Sequence, residues 1–312
     1  MDIKNVVVAG GGVLGSQIAF QSAYKGFNVK VWLRSEGSIE RAKPKFERWK
    51  NVYLQTLEAM KTNPAAYARG LADSPELSDE QIEALKAQVE KAAESIVLTT
   101  SYDEAFGDAD LVIEAIAEEP KQKIELYTEM QKHLPERTIV CTNSSTMLPS
   151  QFAEYTGRPA KYLALHFANE IWKNNTAEVM GHPGTDPAAY EQVAEFAGKI
   201  GMIPLRLKKE QPGYILNSML VPFLTAAESL LANGVADPET IDKTWMLATG
   251  APVGPFRILD IVGLVTAHNI VVMNPQASDP ETTPGKIAAT LKKYIDEGKT
   301  GVNAGEGFYK YE

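Results

Sequence analysis

Ser145, His166, Glu178 and Asn217 are residues whose types, taken together, can move a proton to or from a reacting oxygen. An unperturbed imidazole titrates at about 6.5, so His166 can carry a proton in either direction near neutral pH. A neighbouring carboxylate fixes such a ring and stabilises its charged form, and Glu178 lies twelve residues on. Neutral donors, hydroxyls and amides, polarise an oxygen before charge grows on it. On residue type alone, His166 reads first as a satisfied structural histidine and Ser145 as a turn residue, so their placement decides.

A second chemistry sits at the start of the chain. Gly10-Gly11-Gly12-Val13-Leu14-Gly15 fits the G-x-G-x-x-G pattern, after an apolar run at 6–9 and before a helical pattern at 13–24. Gly10 suits the tight turn, Gly12 a close approach of backbone to a pyrophosphate, and Gly15 close helix-on-strand packing. Val13 and Leu14 open the helix, whose free N–H groups and positive dipole end face phosphate. The bland alternative is an ordinary glycine turn. In such a site an acid at the end of the second strand holds the ribose 2′-hydroxyl. Here that position is Leu33, followed by Arg34 and Ser35, a guanidinium and a hydroxyl that suit a 2′-phosphate. NADP is therefore the expected cofactor, with NAD as the alternative. Glu36 opposes that reading if it points inward, and a solvated Arg34 would empty it. Glu118, Lys121 and Lys123 follow a strand that should end at the cofactor crevice. Lys123 reads equally well as a ribose or substrate ligand and as a solvated helix face.

These residues need a scaffold. Short β-branched runs at 6–9, 29–33, 96–99, 111–115, 138–142, 162–167, 178–180 and 203–207 read as strands, and the glycine turn joins the first to a helix. Helical patterns at 121–133 and 187–200 alternate with them. Such an order gives an α/β, Rossmann-type doubly wound domain. Residues 38–93 read as a charged helical excursion, a protruding helix pair broken at Asn63-Pro64 and Ser74-Pro75, with Ser78 capping its second helix. After Gln211-Pro212-Gly213 only helices are expected, at 215–232, 238–249, 259–271 and 286–297. The expected division is thus a dinucleotide-binding domain over 1–207 and an all-α C-terminal domain over 208–312.

Composition narrows the partners. The 312 residues carry a net charge of −9, which makes a poor binder of nucleic acid or anionic membrane. No window is read as reaching the roughly 20 apolar residues of a spanning helix, and the start lacks the pattern of a secretory signal. Cys141 is the only cysteine, and His133, His166, His182 and His268 are too scattered for a metal site. A cytoplasmic enzyme without a metal is expected.

Several ordered motifs carry a resemblance over nearly the whole length. They are the glycine turn, Thr142-Asn143-Ser144-Ser145, Leu165-His166-Phe167, Ala177-Glu178-Val179-Met180, Gln211-Pro212-Gly213-Tyr214-Ile215-Leu216-Asn217, Gly254-Pro255-Phe256 and Gly305-Glu306-Gly307-Phe308-Tyr309. With them the chain resembles the 3-hydroxyacyl-CoA dehydrogenase family, closest to its diketoreductase-like branch. The resemblance implies interconversion of 3-hydroxyacyl and 3-oxoacyl groups, as in fatty acid metabolism, with hydride moving to or from a nicotinamide. It implies His166 as acid/base, Glu178 as its partner, Ser145 as hydrogen bonder to the substrate oxygen, Asn217 as its helper across a cleft, and Asn143 near the nicotinamide. It also implies a helical second domain that forms a homodimer, with the Gly254 and Gly305 motifs as turns and packing anchors.

The run after His166 departs from the family. Glu170 stands where the proline of Asn-Pro is usual, and Trp172, Asn174 and Asn175 are expected to add bulk and amides beside the reacting centre. A coenzyme A thioester would need cations for its phosphates. Arg41, Lys43, Lys45, Arg48, Lys50 and Lys61 of the excursion offer them, though a solvated face is the first reading. Three alternatives stay open: a reductase of non-thioester 3-oxo esters or acids, an enzyme of the same fold acting on another hydroxy acid, and a cofactor-binding structural protein of the lens-crystallin kind.

Overall fold

A computed structural model describes residues 2–311, and the chain divides into two compact units, Met1–Ile215 and Leu216–Glu312. The first unit runs β1 (Asn5–Ala9), α1 (Val13–Tyr24), β2 (Asn28–Trp32), α2 (Glu36–Met60), α3 (Asp79–Ser95), β3 (Val97–Thr99), α4 (Tyr102–Phe106), β4 (Leu111–Glu114), α5 (Pro120–Met130), β5 (Ile139–Thr142), β6 (Tyr162–Phe167), β7 (Thr176–Gly181), α6 (Pro187–Lys199) and β8 (Ile203–Leu207). The strands form one sheet in the order β3-β2-β1-β4-β5-β6-β7-β8. All neighbours are parallel except β6 and β7. β1 and β4 are adjacent although β2, β3 and the helices α1 to α4 lie between them in sequence. The order reverses there, and a crevice opens at their carboxyl ends. The central strands are buried on both faces, which is why they read as continuous apolar runs rather than alternating ones.

The excursion does not protrude. Phe46, Trp49, Tyr53 and Leu57 of α2 and Ile82, Val89 and Ala92 of α3 join the core that also holds Ile18 and Phe20 of α1. The apolar positions of α2 recur at helical spacing and need a partner, and α1 supplies it. Ser78 caps α3 in the expected box, its hydroxyl accepting from Gln81 N while the Gln81 side chain accepts from Ser78 N.

The second unit holds most of α7 (Tyr214–Ala232) and then α8 (Pro238–Thr249), α9 (Pro255–Val262), α10 (Leu264–Val272) and α11 (Thr283–Asp296) around a core of Leu224, Phe256, Leu259, Leu264 and Leu291. The helix expected over 259–271 is two helices, bent by 95°. Gly263, at φ 91°, breaks it. Two buried aspartates anchor the glycine-rich motifs. Asp242 accepts from Phe256 N (2.8 Å), Arg257 N (3.1 Å) and Tyr309 Oη (3.0 Å). Asp260 accepts from Phe308 N (2.8 Å), Tyr309 N (3.0 Å) and Tyr311 Oη (2.8 Å). A Cβ on Gly307 would lie 2.1 Å from Asp260 Oδ1, so glycine there is a packing requirement.

The division lies after Ile215 rather than at 207, because Tyr214 and Ile215 are bonded into the first unit. Tyr214 Oη donates to Ser144 O (2.7 Å) and Ile215 N to Glu178 (2.8 Å). A second expectation also changes. α7 has 19 residues and a mean hydropathy of 1.5, long and apolar enough by length and composition to cross a membrane. Its scattered Asn217, Ser218, Thr225 and Ser229 hide this when the residues are read one at a time, yet only Glu228 is charged.

Glu228 is 5% exposed and its Oε1 has no hydrogen-bond partner. Burial raises its carboxyl to about 7. A raised acid pKa means that the fold binds the proton more tightly than the unfolded chain, so stability is lost as pH rises through about 7. Glu228→Gln is expected to stabilise the protein at pH 8 by roughly 1–3 kcal/mol and by much less at pH 5. Urea midpoints at both pH values measure this; an equal change at the two would remove the titration account.

Candidate active site

The glycine turn lies where the crevice opens. Gly10 has φ 122°, and a Cβ on it would lie 2.4 Å from Ala115 O of the chain leaving β4. A Cβ on Gly15 would lie 2.3 Å from Gly10 O, whereas one on Gly12 would meet nothing within 4 Å. The turn is therefore packed on its inner side and open on the other, which leaves the room a pyrophosphate needs. No side chain caps α1, so the first N–H groups at Val13 and Leu14 remain available to an anion. Two clefts meet here. One, of ≈ 810 Å³, is lined by Gly10, Gly12, Leu33, Arg34, Ser38, Arg41 and Lys45 among others. The other, of ≈ 190 Å³, is lined by Gly12, Val13, Leu14, Gly15, Glu118, Lys123, Asn143 and Ser145 among others. The residues present fit an extended dinucleotide laid across the turn.

His166 and Glu178 face one another as a cross-strand pair, because β6 and β7 are antiparallel and in that register. His166 Nδ1 lies 3.0 Å from Glu178 Oε2, and both residues are buried. An ionised carboxylate only accepts, so Nδ1 carries the hydrogen and Nε2 is left for chemistry. Ser145 Oγ lies 3.1 Å from that Nε2. The Tyr214 ring stacks on the imidazole, with centroids 4.3 Å apart and planes 15° apart. Tyr214 takes φ 55°, after Gly213 at φ 77°, and this left-handed step turns the ring onto His166. Burial, reinforced by Glu118 and Glu178, pushes the Tyr214 phenol well up, so it stays protonated as donor to Ser144 O.

The loop bearing Ser145 is held by a line of charges. Glu118 accepts from Ser144 Oγ (2.8 Å) and from Ser145 N (2.6 Å). Lys123 stands 3.4 Å from Glu118 and 2.7 Å from Glu114. Lys123 is 1% exposed, so it is not a solvated helix face; it lines the smaller cleft as half of a buried ion pair. Asn143 Oδ1 accepts from Phe167 N (3.1 Å), which ties β5 to the end of β6. Ser35 lies at the cap of α2, its hydroxyl accepting from Ser38 N (3.3 Å), and Ser38 rather than Ser35 lines the larger cleft. Glu36 does not itself line that cleft, but it accepts from Thr100 Oγ1 (3.2 Å), a residue that does. Asn217 lies on α7, in the second unit.

The run after His166 differs from expectation. Trp172 is 3% exposed and packs on Trp49 and Tyr53 of α2, each at 5.5 Å, so its bulk fills the core instead of the reacting centre. Asn175 Nδ2 donates to Gly201 O (2.8 Å) and Asn174 Nδ2 to Asn169 O (2.9 Å). Glu170 takes φ 57°, and its N–H donates to Gln17 Oε1 (2.9 Å), a bond and a dihedral that proline could not supply. Sequence reading gave no role to Gln17, Glu114 or Tyr214, the last of them only quoted within a motif. Only the Pro-Gly before Tyr214 signals any of them; the others act through contacts distant in sequence.

Glu178 is expected to act by positioning the His166 ring, to which its Oε2 is bonded. Glu178→Gln keeps the shape but can hold the wrong imidazole tautomer, and about 10²–10⁴-fold loss of kcat is expected with KM for cofactor unchanged. Steady-state kinetics of the variant measure this; wild-type kcat would remove Glu178 from the chemistry.

The comparisons with known proteins agree with one another. Residues 5–211 match the family model for 3-hydroxyacyl-CoA dehydrogenase, NAD binding domain, and residues 213–311 match that for 3-hydroxyacyl-CoA dehydrogenase, C-terminal domain. The mitochondrial hydroxyacyl-coenzyme A dehydrogenase of Homo sapiens is 32% identical over 310 residues, which cover 99% of this chain and 92% of that protein. A solved diketoreductase, described as a dual catalyst of dicarbonyl compounds, is 48% identical with a TM-score of 0.85, covering 100% of both chains. The (S)-3-hydroxybutyryl-CoA dehydrogenase of Ralstonia eutropha is 25% identical with a TM-score of 0.76, again over 100% of both. With its NAD-binding first domain and helical second domain, the chain belongs to the 3-hydroxyacyl-CoA dehydrogenase family.

Proposed function

We propose that this protein interconverts 3-hydroxy and 3-oxo groups on an acyl-type substrate, preferring NADPH as its reductant. The observation that carries the reading is the line Ser145–His166–Glu178, whose open end lies at the sheet edge beside the smaller cleft. The nicotinamide supplies or takes the hydride when bound. His166 Nε2 gives a proton to the substrate oxygen in reduction and takes it in oxidation, while Glu178 holds the ring and balances its charge. The Ser145 hydroxyl donates to the same oxygen and aligns it with Nε2. Asn217 is the candidate for a further amide donor. Gly10, Gly12, Val13, Leu14 and Gly15 cradle the pyrophosphate, and Glu118, Lys123 and Asn143 face the nicotinamide end. Arg34 beside the apolar Leu33 supports the preference for a 2′-phosphate.

A second reading has its own support: a 3-oxo or dicarbonyl ester without coenzyme A. The diketoreductase likeness favours it, and so does the charge of the excursion. Lys43, Lys50 and Lys61 are paired with Glu40 (2.6 Å), Glu90 (2.6 Å) and Glu83 (2.7 Å), which leaves them occupied rather than waiting for coenzyme phosphates.

Cofactor absorbance followed with acetoacetyl-CoA and with ethyl acetoacetate, each with NADH and NADPH, tests both. Turnover of the thioester supports the first reading, and turnover of the ester alone the second. His166→Gln should keep its fold and cofactor binding and lose most activity; normal turnover in that variant would sink the assignment.

We also propose that the chain works as a homodimer joined through its helical unit. Met219 (62% exposed), Leu247 (75%), Ile261 (66%) and Met273 (76%) are large apolar side chains left in water there. Light scattering at micromolar concentration should return twice the chain mass, and a monomer would rule the proposal out.

A further inference from the structure

Two groups of cations at and after the end of β2 differ in a way that the sequence does not show. Lys43, Lys50, Lys61 and Lys86 face carboxylates of α2 and α3. Arg34, Arg41 and Lys45 instead line the larger cleft, and no ion pair is found for any of the three among the described residues. Arg34, Ser38, Arg41 and Lys45 are spaced by four, three and four residues, which puts them on one face of α2 and the turn before it. Three cations without a carboxylate, on one wall of a cleft in a chain of net charge −9, form a site built for an anion.

The contacts give each group a place. Arg41 Nη2 donates to Ser38 Oγ (2.8 Å), and Ser38 Oγ lies 3.0 Å from Ser35 Oγ. These bonds hold the guanidinium beside the turn that carries Arg34. Lys45 Nζ donates to Gly11 O (2.8 Å) and to Arg41 O (3.3 Å), so it braces the glycine turn. Leu33 is buried with its side chain under Gly11, and it offers no acceptor for a ribose hydroxyl. Glu125 and Glu129 also line this cleft; Glu129 is taken up by Lys132 (2.5 Å) and by His133 (3.5 Å).

We propose that Arg41, fixed by Ser38 and facing the cleft with Arg34, is the residue that selects a phosphorylated adenosine ribose, while Lys45 serves the glycine turn. This rests on the NADPH reading and adds to it a residue one turn into α2. A planar guanidinium binds phosphate through two parallel bonds, which an ammonium cannot reproduce.

Calorimetric affinities of the wild type, Arg41→Ala, Arg41→Lys and Arg34→Ala for adenosine 2′,5′-bisphosphate and for 5′-AMP test it without turnover. The wild type should prefer the bisphosphate. Arg41→Ala should lose about tenfold or more of its affinity for the bisphosphate and roughly none for 5′-AMP, with Arg41→Lys in between. Arg41 is exposed, so unchanged circular dichroism is expected of both its variants. If the wild type binds both nucleotides equally, the NADPH reading fails and this inference with it. If the wild type prefers the bisphosphate and Arg41→Ala keeps that preference while Arg34→Ala loses it, the NADPH reading stands and the role of Arg41 is overturned. An equal loss for both nucleotides in Arg41→Ala overturns that role as well.

Discussion

A carboxylate with no access to water sits at the end of β4. Glu114 is 0% exposed and accepts four hydrogen bonds, from Lys123 Nζ (2.7 Å), Ile116 N (2.9 Å), Tyr127 Oη (2.7 Å) and Thr142 Oγ1 (2.8 Å). An isolated charge there would cost several kcal/mol, so its partners are structural obligations. They come from three pieces of the site: α5, the turn after β4, and the end of β5. Lys123 passes the constraint on to Glu118, and Glu118 holds the Ser144 hydroxyl and the Ser145 backbone. The position of Ser145 is thus tied to a buried ion pair at the switch point of the sheet.

The His166–Glu178 pair depends on a reversal of direction. The segment 168–175 between β6 and β7 is too short for the crossover that a parallel neighbour needs, so the chain turns back on itself and His166 comes to stand opposite Glu178. The antiparallel register places them so, and Glu178 then uses its second oxygen to accept from Ile215 N. That bond, the stacked Tyr214 ring and the Tyr214–Ser144 bond fasten Tyr214 and Ile215 to the residues around His166. Gly213 and Tyr214 both accept left-handed backbone to achieve this. Strain is tolerated where the surroundings over-determine it, and three separate contacts do so here.

Gln17 plays a comparable part on the other side. Its Oε1 accepts from Glu170 N (2.9 Å) and lies 3.4 Å from Ile171 N, and Trp172 then packs on α2. One helix therefore carries the cofactor turn at its start and the anchor of the post-histidine loop one turn further on. Such sharing makes the spacing between the glycine turn and the loop after His166 a property of rigid elements rather than of loops alone.

Much of this protein is legible in its residues. The glycine turn, the eight strands, the helices of the second unit and the motifs around His166 and Glu178 follow from local pattern, because turn chemistry and buried β-branched runs are local properties. Tertiary structure decided what depends on partners far away in sequence. It turned Trp172 from the reacting centre into the core, packed the excursion onto α1, and broke the helix at Gly263. It made Lys123 a buried ion pair, and on α2 it set Lys43 and Lys50 in salt bridges and Arg41 and Lys45 at a cleft. Those outcomes rest on which face of an element meets which neighbour, and the energy of burying a charge or an aromatic ring is known only when that neighbour is in place.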